Sequence, residues 1–202
     1  MAIGLQFQRV SDPLEGQSKW WGAPDLPLDM DYPCASDGEP LLFVCQIRLE
    51  DIAQYDTEGL LPHTGMLYFF ADMAEYVAPL EGISGEEHNG LGEWSEGCYR
   101  VLYSPTCDNL EAFAIVDDDD EPAFLEAERI VFSEASPHHD SFKLLGRPYY
   151  EEISEQYPDD ICLLQIDESD EWGLRLYDCG MICFLISKEA LKAQKWDETK
   201  VY

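Results

Sequence analysis

The chain holds 202 residues, 46% of them hydrophobic and 12% aromatic, enough to bury a real core and to exclude intrinsic disorder. Its 42 acids against 12 bases leave a formal net charge of -30. That excludes a nucleic-acid-binding surface, which runs on Lys and Arg, and disfavours docking on an anionic membrane.

The N-terminus, MAIGLQFQRV, has no basic stretch followed by an apolar core, so no secretory signal is expected there. Residues 18–27, rich in Pro, Gly and Trp, are expected to form an ordered irregular loop, because the rings have area to bury and prolines cannot join a central strand. Residues 41–47 are a continuous apolar run behind the turn signals of residues 37–40, the pattern of a strand covered on both faces. A short helix is expected over 49–55, and Pro62 and Gly65 lead into a second apolar strand at 66–70. The glycine-rich stretch 81–96 has no periodicity and is expected as loop. Strands are predicted at 99–103, 111–116 and 129–132, with the acidic run Asp117, Asp118, Asp119, Asp120 and Glu121 as an exposed connection. Two further strands, 161–166 and 181–186, precede a C-terminal helix over 188–195, for which Ser187 offers an N-cap. No apolar stretch approaches the 18 or so residues of a membrane span. The seven cysteines form an odd set, several within apolar runs, as expected of reduced, buried thiols in a cytoplasmic protein.

The distribution of charge says more than its total. A chain of 23.0 kDa exposes on the order of 10,000 Å². Thirty evenly spread charges would then sit about 18 Å apart, beyond the screening length of about 8 Å at physiological salt. The acids are not evenly spread: residues 49–128 hold twenty acids and one base, Arg100. Such a run is either a solvated face that keeps the protein soluble or a focused negative field for a basic protein or a cation.

An internal repeat emerges along the chain. Gln46-Ile47 is followed by Gly65-Met66 with Phe69 three residues after the Met; Gln165-Ile166 is followed by Gly180-Met181 with Phe184 at the same interval. Upstream, Gly22-Ala23-Pro24 with Tyr32-Pro33 precedes the first block and Gly146-Arg147-Pro148 with Tyr157-Pro158 the second. The period, near 120 residues, points to a duplicated domain and not a solenoid. The expectation is one domain over 1–202, with related halves at about 18–100 and 143–202 and an acidic connecting region at about 101–142.

At these residues the chain resembles the YwqG-like family of uncharacterised bacterial proteins. The likeness rests on the Gly-x-Pro-x-Leu-Pro loop at residues 22–27, the block ending at Gln46-Ile47, and the Leu-Pro-x-x-Gly-x-Leu-x-Phe-Phe stretch at 61–70. It continues through Lys143-Leu144-Leu145-Gly146, residues 163–167, Asp178-x-Gly180 and the closing stretch 187–202. Leu176-Tyr177-Asp178 stands where relatives are expected to have Trp-Gly-Asp, and Arg147-Pro148-Tyr149 replaces a Tyr-Pro-Asp. The resemblance implies an α+β, strand-rich fold of mainly antiparallel sheets with few helices and internal duplication; it implies no established activity.

Candidate chemistry is sparse. Gln46 and Gln165 end apolar strands, and a buried amide there either orients a ligand or ties backbone between the repeats. Trp20 and Trp21 either line a pocket or plug the end of a sheet. Asp178 either acts as a base or ligand or forms a turn. No zinc-type spacing, calcium loop, nucleophile elbow or phosphate cradle is present, so no metal, cofactor or catalytic residue is assigned. Two functions remain open. One is an interaction protein whose acidic surface, with the run at 117–121, engages a basic partner, for instance as an immunity-type inhibitor of a basic toxin. The other is a small-ligand protein or enzyme with Trp20, Trp21, Gln46, Gln165 and Asp178 around a site between the repeats.

Overall fold

Ile3, Leu5 and Phe7 alternate with the small residues Ala2 and Gly4 and the polar Gln6 and Gln8 at the very start of the chain, and this period of two makes a strand of the N-terminal lead. In the computed structural model, which describes residues 1–80, 92–116, 122–176 and 180–202, that strand is β1 (Ala2–Gln8). The others are β2 (Lys19–Trp20), β3 (Asp25–Pro27), β4 (Leu42–Arg48), β5 (Met66–Ala71), β6 (Tyr99–Ser104), β7 (Leu110–Ala112), β8 (Glu128–Ala135), β9 (Lys143–Leu144), β10 (Asp160–Ile166), β11 (Ile182–Ser187) and β12 (Lys200–Val201). Three short α-helices, α1 (Leu49–Ile52), α2 (Glu151–Gln156) and α3 (Lys188–Lys192), and three single 3-10 turns at Ala74–Tyr76, Ala78–Leu80 and Trp196–Glu198 complete the elements of the described residues.

Ten strands form one antiparallel sheet in the order β12-β11-β10-β9-β1-β8-β2-β4-β5-β6, and β3 pairs with β7 in a separate two-stranded ribbon. The fold is mainly β. The α+β mixture expected from sequence narrows to this because no helix among the described residues exceeds six residues. β4, β5, β10 and β11 fall on the apolar runs that predicted them, each covered on both faces. The predicted helix over 49–55 ends at Ile52. The predicted strand over 111–116 ends at Ala112, where its pairing with the three-residue β3 runs out among the described residues. The helix expected after residue 187 forms, with Ser187 Oγ accepting from the Ala190 amide at 3.1 Å. The stretch expected to be connecting contains β8, which pairs with β1 along seven residues at the centre of the sheet.

The sheet curls. β5 and β11 lie seven positions apart, about 34 Å if the sheet were flat, yet the Phe69 and Phe184 rings meet at 5.4 Å. Inside the curl lies the main core, to which nearly every strand contributes, from Ile3, Leu5 and Trp20 to Phe69, Phe184 and Val201. The two ends are tied by the Trp94 amide donating to Val201 O at 2.8 Å and by Tyr103 on β6 packing against Trp196 at 5.7 Å. On the outer face, the β3-β7 ribbon covers β4 and β5 through Leu26, Phe43, Met66, Tyr68 and Phe70. The outer face of β10 and β11 has its own cluster of Ile153, Cys162, Cys183 and Leu185.

Candidate functional site

β2 sets Lys19 opposite Gln46 of β4, both pointing to the outer face. The chain then reverses through two left-handed residues, Trp21 (φ 58°) and Gly22 (φ 81°), and a Cβ on Gly22 would lie 2.7 Å from that of Ala127. The reversal brings Asp25 back beneath Lys19. The Asp25 carboxylate accepts from Lys19 Nζ at 2.8 Å, Gln46 Nε2 at 2.7 Å and the Gly16 amide at 2.9 Å. Gln46 Oε1 in turn accepts from the Asp25 amide at 2.8 Å, Gln46 Nε2 also donates to Gln17 O at 2.8 Å, and Tyr68 OH donates to Asp25 O at 2.8 Å. The side chains of Lys19 and Asp25 are only 7% and 1% exposed. A charge pair this deep is tolerable only because each group is matched and hydrogen-bonded.

Much of this arrangement recurs 124 residues further on. Lys143 on β9 stands opposite Gln165 on β10, and Leu145 (φ 59°) and Gly146 (φ 92°) repeat the left-handed reversal. Gln165 Oε1 accepts from the Tyr149 amide at 2.9 Å, and its Nε2 donates to Ser141 O at 2.8 Å, positions equivalent to Asp25 and Gln17. The difference is charge. Tyr149 stands where the first unit has Asp25, and Lys143, with no exposure at all, donates to His139 O at 2.6 Å and pairs with no carboxylate among the described residues. Burial pushes its pKa below the ordinary lysine value, against the opposing pull of Cys162, Cys183 and Asp140.

The structure places the other sequence-predicted residues plainly. Trp20 and Trp21 come together, ring centroids 5.6 Å apart, in a buried aromatic cluster with Phe7, Phe142 and Trp172. Neither indole N–H has a partner among the described residues. Gln46 and Gln165 sit five strand positions apart, about 24 Å along the sheet, each saturated within its own unit. Asp178 and the run from Asp117 to Glu121 lie outside the described residues. Among those described, no three His, Cys, Asp or Glu side chains form a metal-holding group, and no helix is long and apolar enough to cross a membrane.

Open clefts lie elsewhere. One of about 650 Å³ opens between the turn after β3, residues 28–30, and the β6-β7 connection, residues 105–109. Leu28, Met30, Tyr103 and Pro105 give it apolar walls, and Asp29 and Asp108 give it charge. Another, of about 720 Å³, follows the seam between the ends of the sheet and mixes Glu93, Glu96, Asp197 and Glu198 with Arg100 and Lys200. Sequence reasoning missed the first cleft, whose walls lie some 75 residues apart. It missed Lys19 and Lys143 too, although Lys-x-x-Gly at 19–22 and 143–146 carried the signal.

A curled, mainly-β domain with two buried Lys–Gln units defines a structural class and no chemistry. The model of a domain of unknown function, DUF1963, matches residues 18–157 and 131–202, and the chain belongs to that family. No curated protein matches it.

Proposed function

We propose that this protein is an interaction module whose acidic surface binds a basic partner protein. The observation that carries the reading is the unbalanced charge. Twelve bases can match at most twelve of 42 acids, which leaves thirty uncompensated over 9998 Å² of surface. The imbalance is steepest over residues 49–128. A negative excess of this size accelerates encounter with a cationic partner and repels acidic ones. An immunity-type inhibitor of a basic toxin is the sharpest form of this reading. The described cysteines are all free, which supports a reducing, intracellular setting.

We also infer that the halves of the sheet are copies of one unit. Support comes from the two Lys–Gln pairs, the paired left-handed reversals, and the β-bulges at equivalent places in β4 and β10. The interaction reading is tested by capturing partners at low salt and titrating the complex with salt. The expected partner is basic, and its affinity falls steeply as ionic strength rises. Capture of no basic protein, or a complex indifferent to salt, contradicts it.

A further inference from the structure

We infer that the cleft of about 650 Å³ beneath the turn after β3 is a docking groove for a cationic, partly apolar segment of another protein. This deepens the interaction reading above and rests on it. The groove offers two kinds of contact. Leu28 is 71% exposed at its mouth, and Met30, Tyr103 and Pro105 continue the apolar wall. Asp29 and Asp108 are exposed on the same lining, and neither has an ion-pair partner among the described residues. No Lys or Arg is among the described residues that line the groove. Lys and Arg side chains suit this combination, since their aliphatic stems cover apolar surface while the head groups reach carboxylates.

Further acids stand behind it. The thiol of Cys107, between lining residues Thr106 and Asp108, has its pKa pushed up first by burial and then by Glu50, with Asp108 and Asp51 adding and Arg48 opposing. The walls are also held in place. The Met30 amide donates to Pro27 O at 2.9 Å, Ser104 Oγ donates to Thr106 O at 2.7 Å, and Tyr103 OH donates to Thr64 O at 3.1 Å. A groove held in this way spends little ordering entropy on binding. A second copy of the chain is a poor occupant, because each copy brings a charge of -30.

The test uses the full chain and an amide-capped peptide of repeating Lys-Leu-Lys-Ser units at physiological ionic strength. Asp29→Asn with Asp108→Asn is compared with Glu151→Gln with Glu155→Gln, an equal charge change on exposed α2 residues. The groove variant is expected to bind about ten-fold more weakly, and the α2 variant less than about two-fold. Leu28→Ser should weaken this peptide about five-fold and leave a Lys-Ser peptide unaffected. Peptide should also slow alkylation of Cys107 and leave that of exposed Cys34 unchanged. Equal weakening by both charge variants, with Cys107 alkylated at its free rate, overturns the groove and leaves the interaction reading standing. Absence of any binding overturns both. A dimer that forms with concentration and disappears in Leu28→Ser would make a second copy the occupant, and it also overturns the proposal.

Discussion

Replacing each buried lysine by methionine should cost much stability in one half of the sheet and little in the other. In Lys19→Met the Asp25 carboxylate keeps its bonds from Gln46 Nε2 and the Gly16 amide but loses its cation, at 1% exposure. Breaking a buried pair from one side costs about 3–5 kcal/mol, and the two remaining N–H donors put the expected loss at the lower end, about 3 kcal/mol. With a urea dependence of about 2 kcal/mol per molar, the unfolding midpoint should fall by about 1.5 M. Lys143→Met strands no carboxylate. It removes an ammonium buried without exposure and leaves His139 O still within reach of Gln165 Nε2 at 3.1 Å. Its expected change lies within about 1 kcal/mol of zero, on either side. The assay is urea unfolding followed by tryptophan fluorescence and circular dichroism. Equal losses in the two variants would refute the assignment of Asp25 as the group that makes one lysine essential and leaves the other dispensable.

Three further outcomes follow from the same geometry. Because the folded pKa of Lys143 is lowered, this side chain holds its proton in the unfolded chain but not in the folded one between that value and the ordinary lysine value of about 10.4, so its contribution to stability rises with pH there. It is read as the difference between the parent and Lys143→Met in urea titrations at stepped pH, because the buried Cys45 thiol and the buried phenols Tyr32 and Tyr68, all raised by burial, lower stability with rising pH in both proteins alike. Gln165→Leu orphans the Tyr149 amide and Ser141 O, and should cost about 2–3 kcal/mol in the same assay; unchanged stability would remove the structural role argued for this amide. Gly65→Ala should unfold more than about 10 °C below the parent in calorimetry, since its φ is +95° and a Cβ would lie 2.1 Å from Ser104 O.

The strands that pack on both faces were legible because their residues are apolar without interruption, as at Phe43, Val44 and Cys45 or Leu163 and Leu164. β1 was hidden by its alternation: Gln6 and Gln8 dilute Ile3, Leu5 and Phe7, and only the pairing with β8 gives the pattern a purpose. Lys19 and Asp25 looked like loop residues because burial of a charge depends on a partner, and here the partner returns through a left-handed turn that sequence spacing does not announce. Trp20 and Trp21 fill the core, where Trp172 and Phe142, more than a hundred residues distant, enclose them. The groove was the least legible feature. Its apolar wall and its carboxylates come from two turns that are brought together only when β3 pairs with β7.

Where a cationic segment touches the molecule separates the groove from the rest of the acidic surface. Backbone amide shifts recorded during titration with the Lys-Leu-Lys-Ser peptide should move at residues 28–30 and 103–109 and saturate together, with the outer face of α2 silent. Shifts scattered over the acidic surface without saturation, or confined to the seam around Glu96 and Glu198, would contradict it.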